Sequence, residues 1–336
     1  MSNIREVAEK AGVSITTVSH VVNNTRFVSE DVRVRVMDAI RDTNYQPNAL
    51  ARSLRRGKTH TIGLILPDSG NPFFAEIGRA VEGEAFAQGY SVIFCNTEGN
   101  PVREDFYLEV LAKKRVDGII LVSGGLLTQS LIQAHDQKTP LVVVDRIDSP
   151  GLAIDTVLTD NLSGGLLATR HLINLGHKRI ACMAGPSVFS PSAQRLNGYR
   201  QALMEAGLPV DETIVKHGDY LAGSGWTLGL ELLKMDDRPT AIFACNDMMA
   251  IGILRAAADL GIKIPSDLAL VGFDNIELAA YVNPPLTTVA QDKQKIGEIA
   301  VGMLVEKIGD QELISRREFL QPTLVVRKSC GSKSVE

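Results

Sequence analysis

Residues 14–24, SITTVSHVVNN, combine a helical apolar spacing with short side chains that form hydrogen bonds. At about 100° per residue, one arc of such a helix carries Ile15, Val18, Val21 and Val22. The opposite arc carries Thr16, Thr17, Ser19, His20, Asn23 and Asn24. Short hydroxyl, imidazole and amide groups can approach base edges closely in a DNA major groove. The pattern therefore predicts a helix that reads base sequence.

Two further helices are predicted around this one. In NIREVAEKAG, apolar residues recur at i, i+3, i+4 and i+7 from Ile4, and Gly12 ends the helix. Ser14 is placed to cap the second helix, and Ser29 to cap a third over about residues 30–42. Two helices joined by a tight turn containing glycine form a helix-turn-helix. The alternative is a three-helix bundle that only caps a larger domain.

The charge distribution favours the first interpretation. The net charge of the chain is −4, but residues 1–58 hold ten Lys and Arg against six Asp and Glu, which gives +4 there and −8 in the remainder. A small basic module on an acidic body is typical of a protein that faces an anion with one end.

A short basic segment, NALARSLRR, follows Pro47 and is too short for a stable isolated helix. Its Leu54 lies among cations that include Arg52 and Arg55, an arrangement suited to an apolar wedge in a minor groove with phosphate contacts beside it. The alternative is a flexible basic linker.

A second set of polar residues follows predicted strands. Carboxylate, amide and guanidinium groups can bind several hydroxyls at once, and aromatic faces pack on sugar C–H groups. The set suits a polyhydroxylated ligand and consists of Asn71, Phe73, Phe74, Asp145, Arg146, Arg195, Tyr220, Asn246, Asp274 and Gln291. Taken singly, these residues also have structural interpretations, as helix caps, core phenylalanines or surface ion pairs.

The elements that must position this set alternate along the chain. Apolar runs such as TIGLILP, PLVVVD, AIFACND and LALVGFD are separated by amphipathic segments at 74–88, 103–114, 161–175, 192–206 and 248–260. This alternation predicts parallel sheets covered by helices on both faces, arranged as two doubly wound α/β lobes. Ligands of such sheets bind at the carboxyl ends of the strands.

Composition excludes several other classes. The four cysteines are widely spaced and three lie in apolar runs, which predicts buried thiols in a cytoplasmic protein. No signal peptide or apolar run of about 20 residues is present, so no membrane association is expected. The six histidines lack metal spacing, and GxGxxG after the first strand, GxxxxGK[ST] and GxSxG are absent. We expect no metal, no cofactor and no enzymatic activity.

The chain resembles the LacI family of bacterial transcription repressors over nearly its full length. NIREVAEKAGVSITTVSHVVNNTRFVSEDVR is similar to the family's headpiece and PNALARSLR to its hinge helix. NPFFAEI, RVDGIIL, NDMMAIGILRAA, PSDLALVGFDN and PPLTTVAQD resemble its body, whose motifs are shared with periplasmic sugar-binding proteins. A secreted sugar-binding protein would have this body, but would need a signal peptide and no headpiece.

The resemblance implies a homodimer in which each headpiece reads half of a double-stranded operator. It would place Thr16, Thr17, Ser19 and His20 at bases, Arg26 and Tyr45 also at DNA, and Leu54 in the minor groove. The chain ends without the leucine heptad of tetrameric members, which favours a dimer. The implied domains are a headpiece (1–47), a hinge (48–60), a first lobe (61–159 plus 292–319) and a second lobe (160–291 plus 320–330).

The ligand is predicted from the body residues. The headpiece is especially similar to those of the purine and ribose repressors. SVFSPSAQR, which ends at Arg195, lacks the arginine that the purine-binding member uses in this loop, whereas the strand-end set matches the ribose-binding pattern. The resemblance thus implies ribose or a related pentose as effector, with a purine or hexose co-repressor as the alternative.

Overall fold

The computed structural model describes residues 3–45, 58–122, 129–136, 139–145, 153–186 and 190–331. The chain divides into two compact units, Met1–Thr59, which contains the headpiece, and His60–Glu336, here called the body. Each unit has its own hydrophobic core.

The described part of the headpiece forms three helices, α1 (Ile4–Ala11), α2 (Ile15–Asn23) and α3 (Glu30–Thr43). Gly12 ends α1 in the left-handed region, with φ 63°. The helices enclose a small core of Val7, Ala8, Ala11, Val18, Val21, Val36 and Ala39. The helix-turn-helix prediction is confirmed, and an all-aliphatic core explains how so small a unit packs.

Two details of the headpiece differ from expectation. The apolar arc of the sequence places Ile15 on the buried side of α2, but its side chain is 43% exposed. It is the first residue of the helix, and helical side chains tilt toward the N-terminus, so Ile15 projects beyond its partners. Ser29 occupies the N-cap position of α3, but its side chain makes no capping hydrogen bond to the described residues.

The body is built on two six-stranded sheets. The first has the order β11-β5-β4-β3-β1-β2 and is parallel throughout. Its strands are β1 (Thr61–Leu66), β2 (Ser91–Asn96), β3 (Gly118–Val122), β4 (Leu141–Val144), β5 (Asp155–Thr159) and β11 (Arg317–Leu320). Three of them, β1, β3 and β4, are mainly apolar and buried on both faces, as expected for a parallel sheet between helices. β5 is equally buried but includes Asp155, Thr156 and Thr159.

The second sheet repeats this plan in the order β12-β10-β9-β8-β6-β7, with only β12 antiparallel to its neighbour. Its strands are β6 (Ile180–Ala184), β7 (Val215–His217), β8 (Ala241–Ala244), β9 (Ala269–Asp274), β10 (Thr287–Ala290) and β12 (Thr323–Val325). The predicted fold class, a helical DNA-binding unit with a two-sheet α/β body, is confirmed.

Helices cover both sheets. The first lobe, defined by the first sheet, carries α4 (Pro72–Ala87), α5 (Pro101–Lys113), α6 (Gln129–Asp136) and α11 (Lys293–Gly309). The second lobe carries α7 (Asn161–Asn174), α8 (Ser190–Glu205), α9 (Ala222–Leu233) and α10 (Asp247–Asp259). Among the described helices, none combines the length and the apolarity that a membrane crossing needs.

The chain passes between the lobes between β5 and α7, between β10 and α11, and between β11 and β12. In each sheet the strand order reverses once, between β1 and β3 and between β6 and β8. Ligands of doubly wound sheets bind in the crevice that such a reversal opens at the strands' carboxyl ends. Each lobe therefore has one such crevice, and the segments that carry the predicted ligand set lie beside these crevices.

Three strands, β5, β11 and β12, are missing from the apolar runs of the sequence. DTVLT of β5 begins with a buried aspartate whose Oδ1 accepts a hydrogen bond from the Arg316 backbone, a tertiary contact. REFL of β11 and TLV of β12 lie at sheet edges and are mostly unburied. All four cysteines are buried thiols, as the sequence predicts.

Candidate ligand cleft and nucleic-acid interface

The end of β1 contributes Asn71 and the two phenylalanines of NPFF. Asn71 is buried and caps α4, and its Oδ1 accepts a hydrogen bond from the Phe73 backbone at 3.0 Å. The two rings meet edge to face with centroids 5.1 Å apart. Phe73 is 4% exposed and belongs to the core, whereas Phe74 is only partly buried against it. Phe74 is therefore the ring that can offer a face to a ligand.

Arg195 is the central cation of the second lobe. It lies on α8 with only 4% of its surface exposed. Its Nε donates to Asn161 Oδ1 at 2.7 Å, and its Nη1 donates to the Cys245 carbonyl at 2.6 Å and lies 3.5 Å from Asp274 Oδ1. The guanidinium carbon also stacks 3.8 Å above the Phe273 ring. These contacts fix a buried positive charge at the switch point between β6 and β8.

Two buried carboxyl groups feel the charge of this cation. Asp274 ends β9 and accepts a hydrogen bond from Gln291 Nε2 at 2.8 Å. Burial raises the pKa of Asp274 to about 6, although Arg195 and the Gln291 hydrogen bond act in the opposite direction. Asp145, after β4 of the first lobe, has a pKa raised by burial and lowered by Arg195 and by a hydrogen bond from the Thr159 backbone. Charges from both lobes therefore meet at one place.

Three buried oxygens in this region have no hydrogen-bond partner among the described residues. They are Asp145 Oδ1, Thr159 Oγ1 and Gln291 Oε1. An unsatisfied buried polar atom costs roughly 1–3 kcal/mol, so such atoms are rare unless something else binds them. All three can accept hydrogen bonds. A ligand with several hydroxyl donors would satisfy them together.

Asn246 and Tyr220 are neighbours at the ends of β8 and β7. Asn246 caps α10, accepting from the Met249 backbone at 2.9 Å, and its Nδ2 donates to the Tyr220 carbonyl at 2.9 Å. The Tyr220 ring lies so close to Gly185 that a Cβ there would come within 2.1 Å of its Cζ. Burial raises the pKa of Tyr220 well above its usual range. Asn246 thus orients the residue that carries the ring, and direct ligand contact by either stays a prediction.

One member of the predicted set has no described position, and two residues beside the set were not predicted. Arg146 lies outside the described residues. Sequence reasoning did not include Thr159 and Asn161, which flank the crossing from β5 to α7. Had TVLT been recognised as a strand, both would have been strand-end candidates. Thr159 is the last residue of β5, and Asn161 is the first residue of α7, which Asp160 caps.

The predicted reading helix begins with a well-formed cap. Ser14 Oγ accepts a hydrogen bond from the Thr17 backbone at 3.1 Å and lies 2.9 Å from Thr17 Oγ1. Thr16 is exposed beside it, and His20 is partly exposed with its Nδ1 2.9 Å from Thr25 Oγ1. That contact leaves the Nε2 edge of the His20 ring as the candidate for base contacts.

The later positions of α2 are more engaged within the protein. Asn23 Nδ2 donates to the Ser19 carbonyl at 2.8 Å and to Ser19 Oγ at 3.3 Å. Arg26 is exposed, and Tyr45 is partly buried against the headpiece core. DNA contact by these four residues stays a prediction. Arg52, Leu54 and Arg55 lie outside the described residues.

Two apolar side chains were missed as candidates for this surface. Ile15 adjoins Thr16 with 43% of its side chain exposed, and Phe27 adjoins Arg26 with 94% exposed. Apolar groups in a major groove contact thymine methyls. For Phe27 the signal was available, because it follows a cation in a loop, outside any helical apolar pattern.

Comparison with known proteins places these features in a family. Residues 3–48 match the lacI family of bacterial regulatory proteins, and residues 169–330 match the periplasmic binding protein-like domain. The chain is 41% identical to the HTH-type transcriptional repressor PurR of Photobacterium profundum, with 98% of each chain covered. It is 42% identical to the ribose operon repressor of Escherichia coli (strain K12), covering 98% of this chain and 100% of that one.

The fold comparison agrees. The lac repressor dimer solved with operator and the anti-inducer ONPF superposes with a TM-score of 0.88 at 30% identity, over 98% of both chains. Similarity at this level along nearly the whole length shows that the protein belongs to the LacI family and is a DNA-binding transcriptional repressor.

Proposed function

We propose that the repressor is a homodimer whose affinity for double-stranded operator DNA is controlled by a small sugar, ribose or a closely related pentose, bound between the lobes. It needs no cofactor and catalyses no reaction in this role. The proposed division is a headpiece (1–47), a hinge (48–60), a first lobe (61–159 plus 292–319) and a second lobe (160–291 plus 320–330).

The observation that carries the sugar is the set of three unpartnered acceptors around one buried cation. Among the described residues, Asp145, Thr159 and Gln291 offer oxygens to hydroxyl donors, and Arg195 offers guanidinium N–H groups. Phe74 and Tyr220 add aromatic surface for C–H packing. Acceptor oxygens close to a fixed cation suit a compact polyol, and the relative that is a ribose operon repressor supports the same choice.

The DNA-binding part of the proposal assigns Thr16, Thr17 and His20 to base edges in the major groove. Their cap, exposure and spacing along α2 support this role. Ser19, Asn23, Arg26 and Tyr45 would support or extend the same surface, with phosphate contacts from the hinge residues Arg52 and Arg55 and minor-groove insertion by Leu54. The hinge assignments rest on the sequence.

A homodimer would give exposed apolar side chains of the body a surface to pack against. Phe86, Phe94, Phe106 and Tyr281 are 77%, 51%, 58% and 78% exposed. A second subunit that covers any of them gains free energy from the apolar area it buries. The solved dimer of the lac repressor is the precedent.

A purine or hexose acting as co-repressor is the second candidate. It is favoured by the PurR relative, whose 41% identity is close to the 42% of the ribose operon repressor. Overall sequence identity therefore does not decide between a purine and a sugar. The choice depends on the polar groups of the cleft. The missing arginine before Arg195 argues for the sugar.

A thermal-shift panel on the purified protein tests the proposal, since a ligand that binds only the folded state raises the melting temperature. The panel contains pentoses, hexoses, their phosphates, hypoxanthine and guanine. At a hundred times its Kd a ligand adds about 2.7 kcal/mol of stability. We expect the largest shift with D-ribose, followed by altered binding to an operator selected from random DNA. A shift with a purine base alone would overturn the sugar and favour co-repression.

A further inference from the structure

The loop after β9 adopts an unusual backbone conformation at the ligand site. Asp274 and Asn275 are consecutive residues with positive φ, 107° and 50°, and neither is glycine. Such conformations are unfavourable for residues with a Cβ and persist only where surrounding contacts hold them. Within the second lobe, Asp247 accepts from the Ile276 backbone at 2.9 Å and Arg327 donates to Asn275 Oδ1 at 2.7 Å.

Two side chains of the first lobe also hold this loop. Lys293 Nζ, at the first position of α11, donates to the carbonyls of Asp274 at 2.8 Å and Asn275 at 2.7 Å. Glu76 Oε1, near the start of α4, accepts from the Glu277 backbone at 3.0 Å. The two side chains pair with each other at 3.0 Å, and only 12% and 16% of their surfaces are exposed. The Lys293 ammonium thus binds backbone carbonyls of the loop, and the Glu76 carboxylate binds a backbone amide of the loop.

The base of this arrangement is closely packed. Helices α4 and α11 approach so tightly that a Cβ on Gly297 would lie 2.7 Å from Ala80 Cβ. A rigid base lets Glu76 and Lys293 act as one unit. A lysine at the N-terminus of a helix also opposes the helix dipole, so its position is not explained by helix stability. Its contacts instead join the two lobes beside the crossing from β10 to α11.

We propose that Glu76 and Lys293 form an interlobe clamp that positions Asp274 and couples ligand binding to contact between the lobes. Both are positioning residues, since neither belongs to the set that faces the ligand. With the lobes together, the clamp holds the loop that aims the Asp274 carboxylate at Arg195 and Gln291. When the lobes separate, the loop loses three hydrogen bonds, and only its contacts within the second lobe still hold Asp274. The role of the clamp in ligand binding rests on the sugar proposed above.

Hydrogen exchange on the ligand-free, full-length chain tests the clamp without any ligand. In Glu76→Ala the Glu277 amide loses its acceptor, and we expect it to exchange about tenfold or more faster. The neighbouring Ile276 amide, bound to Asp247, is the internal reference and should change little. Unchanged exchange at Glu277 would overturn the clamp, and so would equal acceleration at both amides, which would indicate general loosening.

Ribose titration calorimetry tests the coupling. We expect Lys293→Met and Glu76→Gln each to weaken ribose binding by about tenfold. The double variant should bind ribose only slightly more weakly than the single variant of lower affinity, because the effects of two paired residues are not additive. Lys295→Met is the matched control, since Lys295 lies on the same helix and forms an exposed pair with Glu298. Independent, multiplying losses would overturn the proposal. If the unmodified protein binds no ribose, the pentose assignment fails, while the exchange measurement still judges the clamp.

Discussion

Replacing Asp247 by asparagine tests whether a buried carboxyl beside Asp274, in the proposed ligand cleft, is neutral. Asp247 is fully buried at the start of α10. Its Oδ1 accepts from Thr288 Oγ1 at 2.6 Å and its Oδ2 accepts from the Ile276 backbone at 2.9 Å. Burial raises its pKa to about 8, and the neighbouring charge of Asp274 adds to this shift. The carboxyl is therefore mostly protonated at neutral pH.

The sign of the pH dependence follows from this shift. Between the ordinary pKa of 3.8 and the folded value of about 8, the folded chain holds a proton that the unfolded chain has released. The contribution of this group to stability is thus complete below the unfolded value and declines as the pH rises toward 8 and through it. One proton gives a slope of about 1.4 kcal/mol per pH unit. From pH 5 to 7 the loss amounts to about 2.5 kcal/mol.

Asparagine resembles the protonated acid in size but does not titrate. Its Oδ1 can accept from the Ile276 backbone while its Nδ2 donates to Thr288 Oγ1, so the bond to Thr288 reverses its direction. Urea unfolding of the wild type and Asp247→Asn at pH 5, 6 and 7 should therefore show the variant gaining about 2.5 kcal/mol relative to the wild type across this range. Asp259→Asn is the matched control, because Asp259 lies on the same helix and Trp226 and Arg255 lower its pKa. A difference between Asp247→Asn and the wild type that is constant with pH would refute the reasoning, since it would mean that the buried carboxyl is ionised throughout.

Three further predictions concern the two binding surfaces. Thr17→Ala combined with His20→Ala should abolish preference for the wild-type operator over random DNA in fluorescence anisotropy, and retained preference would contradict the assignment of α2. Ser14→Ala removes the side-chain cap of α2 and should destabilise the headpiece by about 1 kcal/mol in thermal unfolding followed by circular dichroism, with an unchanged midpoint counting against the cap. Arg195→Met should reduce ribose affinity at least about a hundredfold in calorimetry, because hydrogen bonds to charged groups contribute roughly 1.5–3 kcal/mol each. Arg200→Met, which alters an exposed pair on the same helix, should leave ribose affinity nearly unchanged, and similar losses for both would contradict a specific role for Arg195.

Much of the site was predictable because parallel sheets bring the ends of their strands to one edge. Arg195, Asp274 and Gln291, far apart in sequence, meet within hydrogen-bonding or ion-pairing distance as that rule implies. Which of two adjacent residues is buried in the core and which stays partly exposed was not predictable. Phe73 and Phe74 are the same residue type side by side. Only packing buries Phe73 in the core and leaves Phe74 partly exposed.

The sequence by itself determined the helix-turn-helix and the two-sheet α/β body, since helix caps and apolar periods act locally. Tertiary structure alone decided which polar groups are satisfied. Gln291 Nε2 binds Asp274, whereas Gln291 Oε1 is unpartnered among the described residues, and nothing in the sequence around Gln291 indicates either outcome. It also joined Glu76 and Lys293, from distant parts of the chain, into one ion pair on the loop of Asp274. Such contacts depend on how the two sheets of the body meet, and no local pattern records that geometry.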